Sequence, residues 1–173
     1  ILEPNKAIRC ELLCKLECRY ASGDVSYVFD ANGDVHFKFK GENSADVFYN
    51  NTPFQLEKIY IGPRVHSKLP EDESIVGECC LYHKGNDGDL IISIFLRTTR
   101  GFSQSQDFFS QFLNVSVGTQ NVDRVIHINT SPDWSPQQIV PPSSAFFSYQ
   151  RGTTRWIVFT EPVFIDSSNF SKV

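Results

Sequence analysis

Five cysteines and four histidines carry most of this chain's capacity for chemistry. Thiolate sulfur and imidazole nitrogen are zinc ligands, and a thiolate is also a nucleophile. The cysteines are Cys10, Cys14, Cys18, Cys79 and Cys80. Their number is odd and two are adjacent, a poor basis for a disulfide framework, so reduced and mostly buried thiols are expected. The histidines His36, His66, His83 and His127 fall on separate segments with no paired spacing, so they do not suggest a three-histidine metal site. A thiolate cluster of Cys80 with Cys10, Cys14 or Cys18 would require the N-terminal segment to approach Cys80. The acidic triplet Glu71-Asp72-Glu73 reads as a solvated loop.

The elements that would position these residues are strands. Phe54–Ile61, Ser74–His83 and Leu90–Leu96 are short, β-prone runs bounded by Gly, Pro, Asn or Asp, and they read as strands of one sheet. Cys10–Tyr20 alternates apolar and charged residues with period two, which predicts a single half-buried strand. Val25–Phe29 and Val35–Lys40 flank an Asn32-Gly33 hairpin signal. Val47–Tyr49, Val122–Ile128, Trp156–Phe159 and its continuation Val163–Ile165 read as further strands. Ser103–Leu113 has one apolar face and a capping Ser103, which predicts a short helix. Ser131–Pro142 and Gln150–Arg155 read as irregular or loop, and Asp166–Val173 as a turn or helix.

The chain has 173 residues, enough for one domain with a real core. Fifteen Phe and six Tyr favour a β-rich fold. A formal charge of −4 and the lack of any Lys/Arg run argue against a nucleic-acid partner. No stretch approaches the roughly 20 apolar residues of a transmembrane span. Sequons at Asn50, Asn114, Asn129 and Asn169 pull weakly towards a secretory route.

Several segments, taken in order, resemble the α-carbonic anhydrase family. Asn32-Gly33 and the strand after it are similar to its early hairpin, and Phe54-Gln55-Leu56 to the start of its first zinc-ligand strand. Gly77-Glu78 through Leu81-Tyr82-His83 resembles its Glu-Leu-His-Leu-Val-His strand, and Asp87–Leu96 the strand that follows an Asp-Gly pair. Ile139-Val140-Pro141 to Phe146-Phe147-Ser148-Tyr149 aligns without a gap to Leu-Leu-Pro to Tyr-Trp-Thr-Tyr. Thr153-Thr154, Trp156-Ile157-Val158 and Glu161-Pro162 match its Thr-Thr, Trp-Ile-Val and Glu-Pro signatures. The resemblance implies a mainly β (α+β) fold. It would be a single domain over residues 1–173, with a large, mostly antiparallel central sheet and small peripheral helices. It also implies a truncated C-terminal end that lacks a final family strand.

Catalysis in that family uses three histidines: two lie two residues apart on one strand and the third on its neighbour. They hold zinc, which lowers the pKa of its bound water to about 7. Carried over residue by residue, the paired ligands fall on Tyr60 and Gly62, and the third on Cys80. Gly62 has no side chain and Tyr60 is a poor zinc ligand, so the resemblance implies a degenerate zinc site and no cofactor. The proton-shuttle position falls on Asp34, whose carboxylate relays protons poorly near neutrality. Glu78, Thr153 and Thr154 are retained cavity positions, and the loop after the Thr pair is shortened.

The expected function is therefore a non-catalytic carbonic anhydrase-like domain, a structural or binding subunit of a larger assembly whose partners are other protein subunits. Among catalytically dead relatives, the apolar run after Asp87-Gly88 and the Gly152-Thr153-Thr154 loop look closest to the poxvirus virion cell-surface-binding type. That implies a virion or capsid setting, with a reduced intracellular assembly preferred to secretion. Two alternatives stand beside it: attachment to a host-surface glycan, and an enzyme with non-zinc chemistry drawing on Cys80, Tyr60, Glu78 and Thr153. For the enzyme, spacing supplies no base–nucleophile pair.

Overall fold

The computed structural model describes residues 8–10, 14–29, 35–66, 72–98, 103–113, 124–141 and 145–171. Within them, twelve strands form one mixed, mostly antiparallel sheet. In chain order they are β1 (Ile8–Cys10), β2 (Leu16–Cys18), β3 (Gly23–Phe29), β4 (Val35–Gly41), β5 (Val47–Tyr49), β6 (Thr52–Gly62), β7 (Ile75–Lys84), β8 (Asp89–Thr98), β9 (Arg124–Ile128), β10 (Phe146–Arg151), β11 (Thr154–Phe159) and β12 (Val163–Ile165). Helices α1 (Gln104–Phe112) and α2 (Ser167–Phe170) and a 3-10 turn, Pro136–Ile139, lie off the sheet. The strand order is β1-β10-β11-β8-β7-β6-β4-β3-β9, with β2 and β5 beside β6.

The middle of the sheet is the antiparallel trio β6, β7 and β8. β8 is buried along most of its length because it has neighbours on both edges and is apolar on both faces. β11 and then β12 run parallel to it, from Thr154 opposite Asp89 to Ile165 opposite Thr98, so Val163–Ile165 does continue the line of β11. One sheet face carries Ile59, Ile61, Cys79, Leu81, Ile92 and Ile94 into the main core. Phe108 and Phe109 of α1 and the fully buried Trp134 close that core, with Trp134 stacked on Phe108 at 4.9 Å. Its indole N–H donates to the Phe108 carbonyl at 3.0 Å, so the ring enters with no unpaired polar atom. Helix α1 starts where predicted: the Ser103 hydroxyl accepts from the Gln106 N–H at 3.2 Å.

Several expectations are corrected. Cys10–Tyr20 is not one strand. β1 pairs with β10 and β2 with β5, so its two ends join different parts of the sheet. Cys14 between them is disulfide-bonded, against the expectation of wholly reduced cysteines, whereas Cys18, Cys79 and Cys80 are free. Gln150–Arg155 is not a loop: β10 and β11 pair up to Arg151 opposite Thr154, leaving the two-residue turn Gly152-Thr153. Gly152 has φ +62, a conformation that glycine adopts without a Cβ clash. The irregular Ser131–Pro142 stretch contains the 3-10 turn, capped by Ser135 and Gln138 in a reciprocal box. The Asn32-Gly33 turn and Asp34 lie outside the described residues. No helix among the described residues is long and apolar enough to cross a membrane.

Candidate functional site

The face opposite the main core brings the predicted positions together. Residues alternate between faces along a strand, so Tyr60 and Gly62 share one face of β6. Tyr60 stands opposite Cys80, Cys80 opposite Ser93, and Ser93 opposite Val158. One row further along, Gly62 stands opposite Glu78, and Glu78 opposite Phe95. Tyr60, Gly62, Cys80 and Glu78 therefore form a square on two adjacent strands. Thr153 and Thr154 are not part of it. Thr153 is exposed in the hairpin turn, and Thr154 lies four residues along β11 from Val158, roughly 13 Å away at strand rise. The shortened connection zips into a hairpin and carries the Thr pair to the sheet's end.

Tyr60 fills the space beside Gly62. A Cβ built on Gly62 would lie 2.8 Å from Cζ and 3.1 Å from Cε1 of Tyr60, and nearer still to its hydroxyl. A side chain at 62 and the present Tyr60 rotamer are mutually exclusive. Across the strand, Cys80 is fully buried and its thiol points to Glu78 Oε1 at 4.0 Å. Burial pushes this thiol well above the ordinary range, and the Glu78 charge adds to the effect. These side chains do not fit a zinc ion held by three neutral imidazoles. Among the described residues no three His, Cys, Asp or Glu side chains gather as ligands elsewhere.

Glu78 is instead the hub of a buried polar network. Its Oε2 accepts from the backbone N–H groups of Val65 (2.7 Å) and His66 (3.0 Å). Its Oε1 accepts from His66 Nδ1 (2.5 Å) and from the Ser93 hydroxyl. His66 Nε2 lies 2.6 Å from the Tyr149 hydroxyl. The imidazole is wedged edge-on against Trp156 at 5.1 Å, and Trp156 stacks on Tyr149. His66, Glu78 and Ser93 are all fully buried. Burial alone would raise the Glu78 pKa, but the hydrogen bond and charge of His66, with Ser93, carry it below the usual carboxylate value. Burial, reinforced by the Glu78 charge, pushes the Tyr149 phenol up. With both carboxylate oxygens engaged, Glu78 anchors the segment after β6 to β7, β8 and β10. The Cys80 thiol is the further group directed at it, 4.0 Å from Oε1.

His66, Ser93 and Tyr149 escaped sequence reasoning as functional residues. One signal was available: Glu78 and Ser93 are polar interruptions of two apolar runs, and buried polar groups need partners. His83, on the opposite face of β7, is a satisfied core histidine. Its Nδ1–H donates to the Leu90 carbonyl at 3.1 Å, so Nε2 accepts from the Tyr20 hydroxyl at 2.6 Å.

No family model matches the sequence, and no curated protein does. In three dimensions the chain is similar to an α-carbonic anhydrase from Photobacterium profundum, with TM-score 0.69 and 14% identity, covering 94% of this chain and 73% of that one. It is equally similar to a Chlamydomonas reinhardtii carbonic anhydrase in complex with acetazolamide, with TM-score 0.70, 14% identity and coverage of 95% and 73%. Dioscorin complexed with ascorbate gives TM-score 0.64 and 19% identity, covering 98% of this chain and 71% of that one. At these identities the likeness is one of fold: the chain has the α-carbonic anhydrase fold.

Proposed function

We propose that this chain is an α-carbonic anhydrase-fold domain that works by binding rather than by catalysis, as a structural or binding subunit of a larger assembly. The observation that carries the proposal is the Tyr60 ring lying across Gly62, opposite the buried thiol of Cys80. These are the three positions to which the sequence resemblance assigns zinc ligands. A side chain that fills the would-be ligand space, a residue with no donor and a protonated thiol supply no tetrahedral imidazole set. The same scaffold is well braced around them by the Glu78 network, which suits a rigid presenting domain. The virion setting is part of this proposal and rests on the resemblance of the segments at Asp87-Gly88 and Gly152-Thr153-Thr154.

Metal analysis of the purified chain together with a CO2 hydration assay tests this reading. The expected result is no stoichiometric zinc and no rate above buffer. Stoichiometric zinc with a rate above buffer overturns it. Salt-resistant association with a protein of the assembly is the positive counterpart.

A further inference from the structure

We propose that the cleft between β4 and β6 binds a compact polyvalent oxyanion, a small molecule carrying two or more phosphate or sulfate groups. The cleft exists because the two strands part. They are in register only at Phe37–Ile59 and Lys38–Lys58, and the β6 register shifts between Leu56 and Lys58. Such a bulge turns consecutive residues outward, and Glu57 and Lys58 are both exposed. Asp46 holds the irregular stretch by accepting from the Leu56 N–H at 2.9 Å. The resulting cavity has a volume of about 600 Å³, within the range of small-molecule sites. Its lining includes Lys38, Lys40, Lys58, His36, Glu57 and Val125.

The charge pattern selects the ligand. Lys38 and Lys58 are direct cross-strand partners, so their Cβ atoms stand roughly 5 Å apart. Lys40 projects from the same face two residues along β4, roughly 7 Å away. Among the described residues none of the three forms an ion pair. Two carboxylates stand near: Glu57 on the lining and Asp24, the register partner of Lys40. The other two lysines have no acidic register partner. Lys38 sits between Ser26 and Lys58, and Lys58 between Lys38 and Tyr82, over whose ring its ammonium lies at 4.9 Å. Like charges directly opposed on a sheet destabilise it. An anion bridging them reverses that cost. Lysine ammonium groups act as mobile point charges, a mode in which lysine binds phosphate, and three of them clustered within roughly 7 Å favour a ligand with more than one negative group. Nucleic acid fits less well, because binding it calls for exposed aromatic stacking surfaces. Among the described lining residues the aromatic rings are the Phe39 phenyl, only 3% exposed, and the small His36 imidazole, so no broad stacking surface is presented.

Calorimetric titration of the full chain with tripolyphosphate and with sucrose octasulfate at low salt tests the site. One-to-one binding of either probe is expected, weakening with added salt, and the tighter probe assigns phosphate or sulfate. Lys38→Ala/Lys58→Ala should weaken it by about tenfold or more, whereas the charge-matched Lys15→Ala/Lys84→Ala should change it less than about twofold. All four lysines are exposed, so both variants should stay folded, and thermal melts should show neither losing its cooperative transition. Three outcomes overturn the proposal: no saturable binding of either probe, equal loss in both variants, or tighter binding of a single-stranded oligonucleotide than of either probe. The site does not depend on the Tyr60–Cys80 row, so it and the zinc-free reading can fail separately.

Discussion

The Tyr20 hydroxyl and His83 Nε2, 63 residues apart in sequence, lie 2.6 Å apart in the core. The pair joins the segment after β2 to the end of β7. Burial lowers the His83 pKa from 6.5 to about 4, against the opposing pull of its backbone hydrogen bonds to Leu90 and Leu81. Between those values the unfolded chain holds a proton that the folded chain does not, so stability falls as pH drops from about 6.5 towards 4. This group adds no further loss below that window. The full effect is about 3 kcal/mol. Urea midpoints measured from pH 8 to pH 4 should decline for the parent and flatten in His83→Gln. Tyr20→Phe should cost about 1–2 kcal/mol at neutral pH by leaving Nε2 unpaired.

The Glu78 network predicts a rank order of damage. Glu78→Gln keeps the volume but turns one acceptor oxygen into a donor facing donors, and it strips the buried His66 of its carboxylate. A loss of about 3–5 kcal/mol is expected. Ser93→Ala and Tyr149→Phe each remove one partner and should cost about 1 kcal/mol. Because the Glu78 pKa is lowered on folding, its contribution is present above the ordinary carboxylate range and is lost as pH falls below it. Denaturant melts of the single variants and of the Glu78/Ser93 double-mutant cycle would check this. Near-additive losses would show that the two do not share a network.

The central strands were legible because β6, β7 and β8 are long apolar runs closed by turn residues, and burial follows apolarity. Helix α1 was legible from its cap. The break inside Cys10–Tyr20 was not, because period-two alternation is a local signal. The decision to split is made by partners far away in sequence, Phe146–Ser148 for β1 and Val47–Tyr49 for β2. Gln150–Arg155 read as loop because it is polar, yet Arg155 donates to Gln150 at 2.8 Å across the hairpin. Cross-strand polar pairs of this kind leave no trace in hydrophobic periodicity. The adjacency of Tyr60, Gly62 and Cys80 was legible through the resemblance to the α-carbonic anhydrase family, which puts these positions on neighbouring strands. The role of His66 was not, since a lone histidine in a polar segment meets Glu78, Ser93 and Tyr149 only after folding.

The free thiols should differ in reactivity. Cys79 and Cys80 are fully buried, and burial raises both thiols far above the range in which thiolate forms at neutral pH. Cys18 is partly exposed, but burial of its sulfur still pushes it up to about 12. Alkylation with iodoacetamide, read by mass spectrometry, should leave Cys79 and Cys80 unmodified in the native chain and modify both in denaturant. Rapid native labelling of Cys80 would show that the face beneath Tyr60 is open to solvent. It would also revive the thiol as a candidate nucleophile.

The Tyr60–Gly62 relationship makes the sharpest prediction about the would-be zinc site. Gly62→Ala forces the Tyr60 ring aside and should cost about 1 kcal/mol, and Tyr60→Ala in the same chain should recover part of that loss. Gly62→His alone adds an imidazole but leaves the phenol in the way and the thiol opposite, so it should bind zinc no better than the parent. Only Tyr60→His/Gly62→His/Cys80→His places three imidazoles on the two facing strands, in the two-plus-one spacing that a tetrahedral site requires. That triple variant should be less stable without metal, because His at the fully buried Cys80 position overfills its site. Its melting temperature should rise with added zinc, whereas that of Gly62→His should not. Thermal melts with and without zinc would decide it. An equal zinc-induced rise in Gly62→His would show that Tyr60 does not block the position.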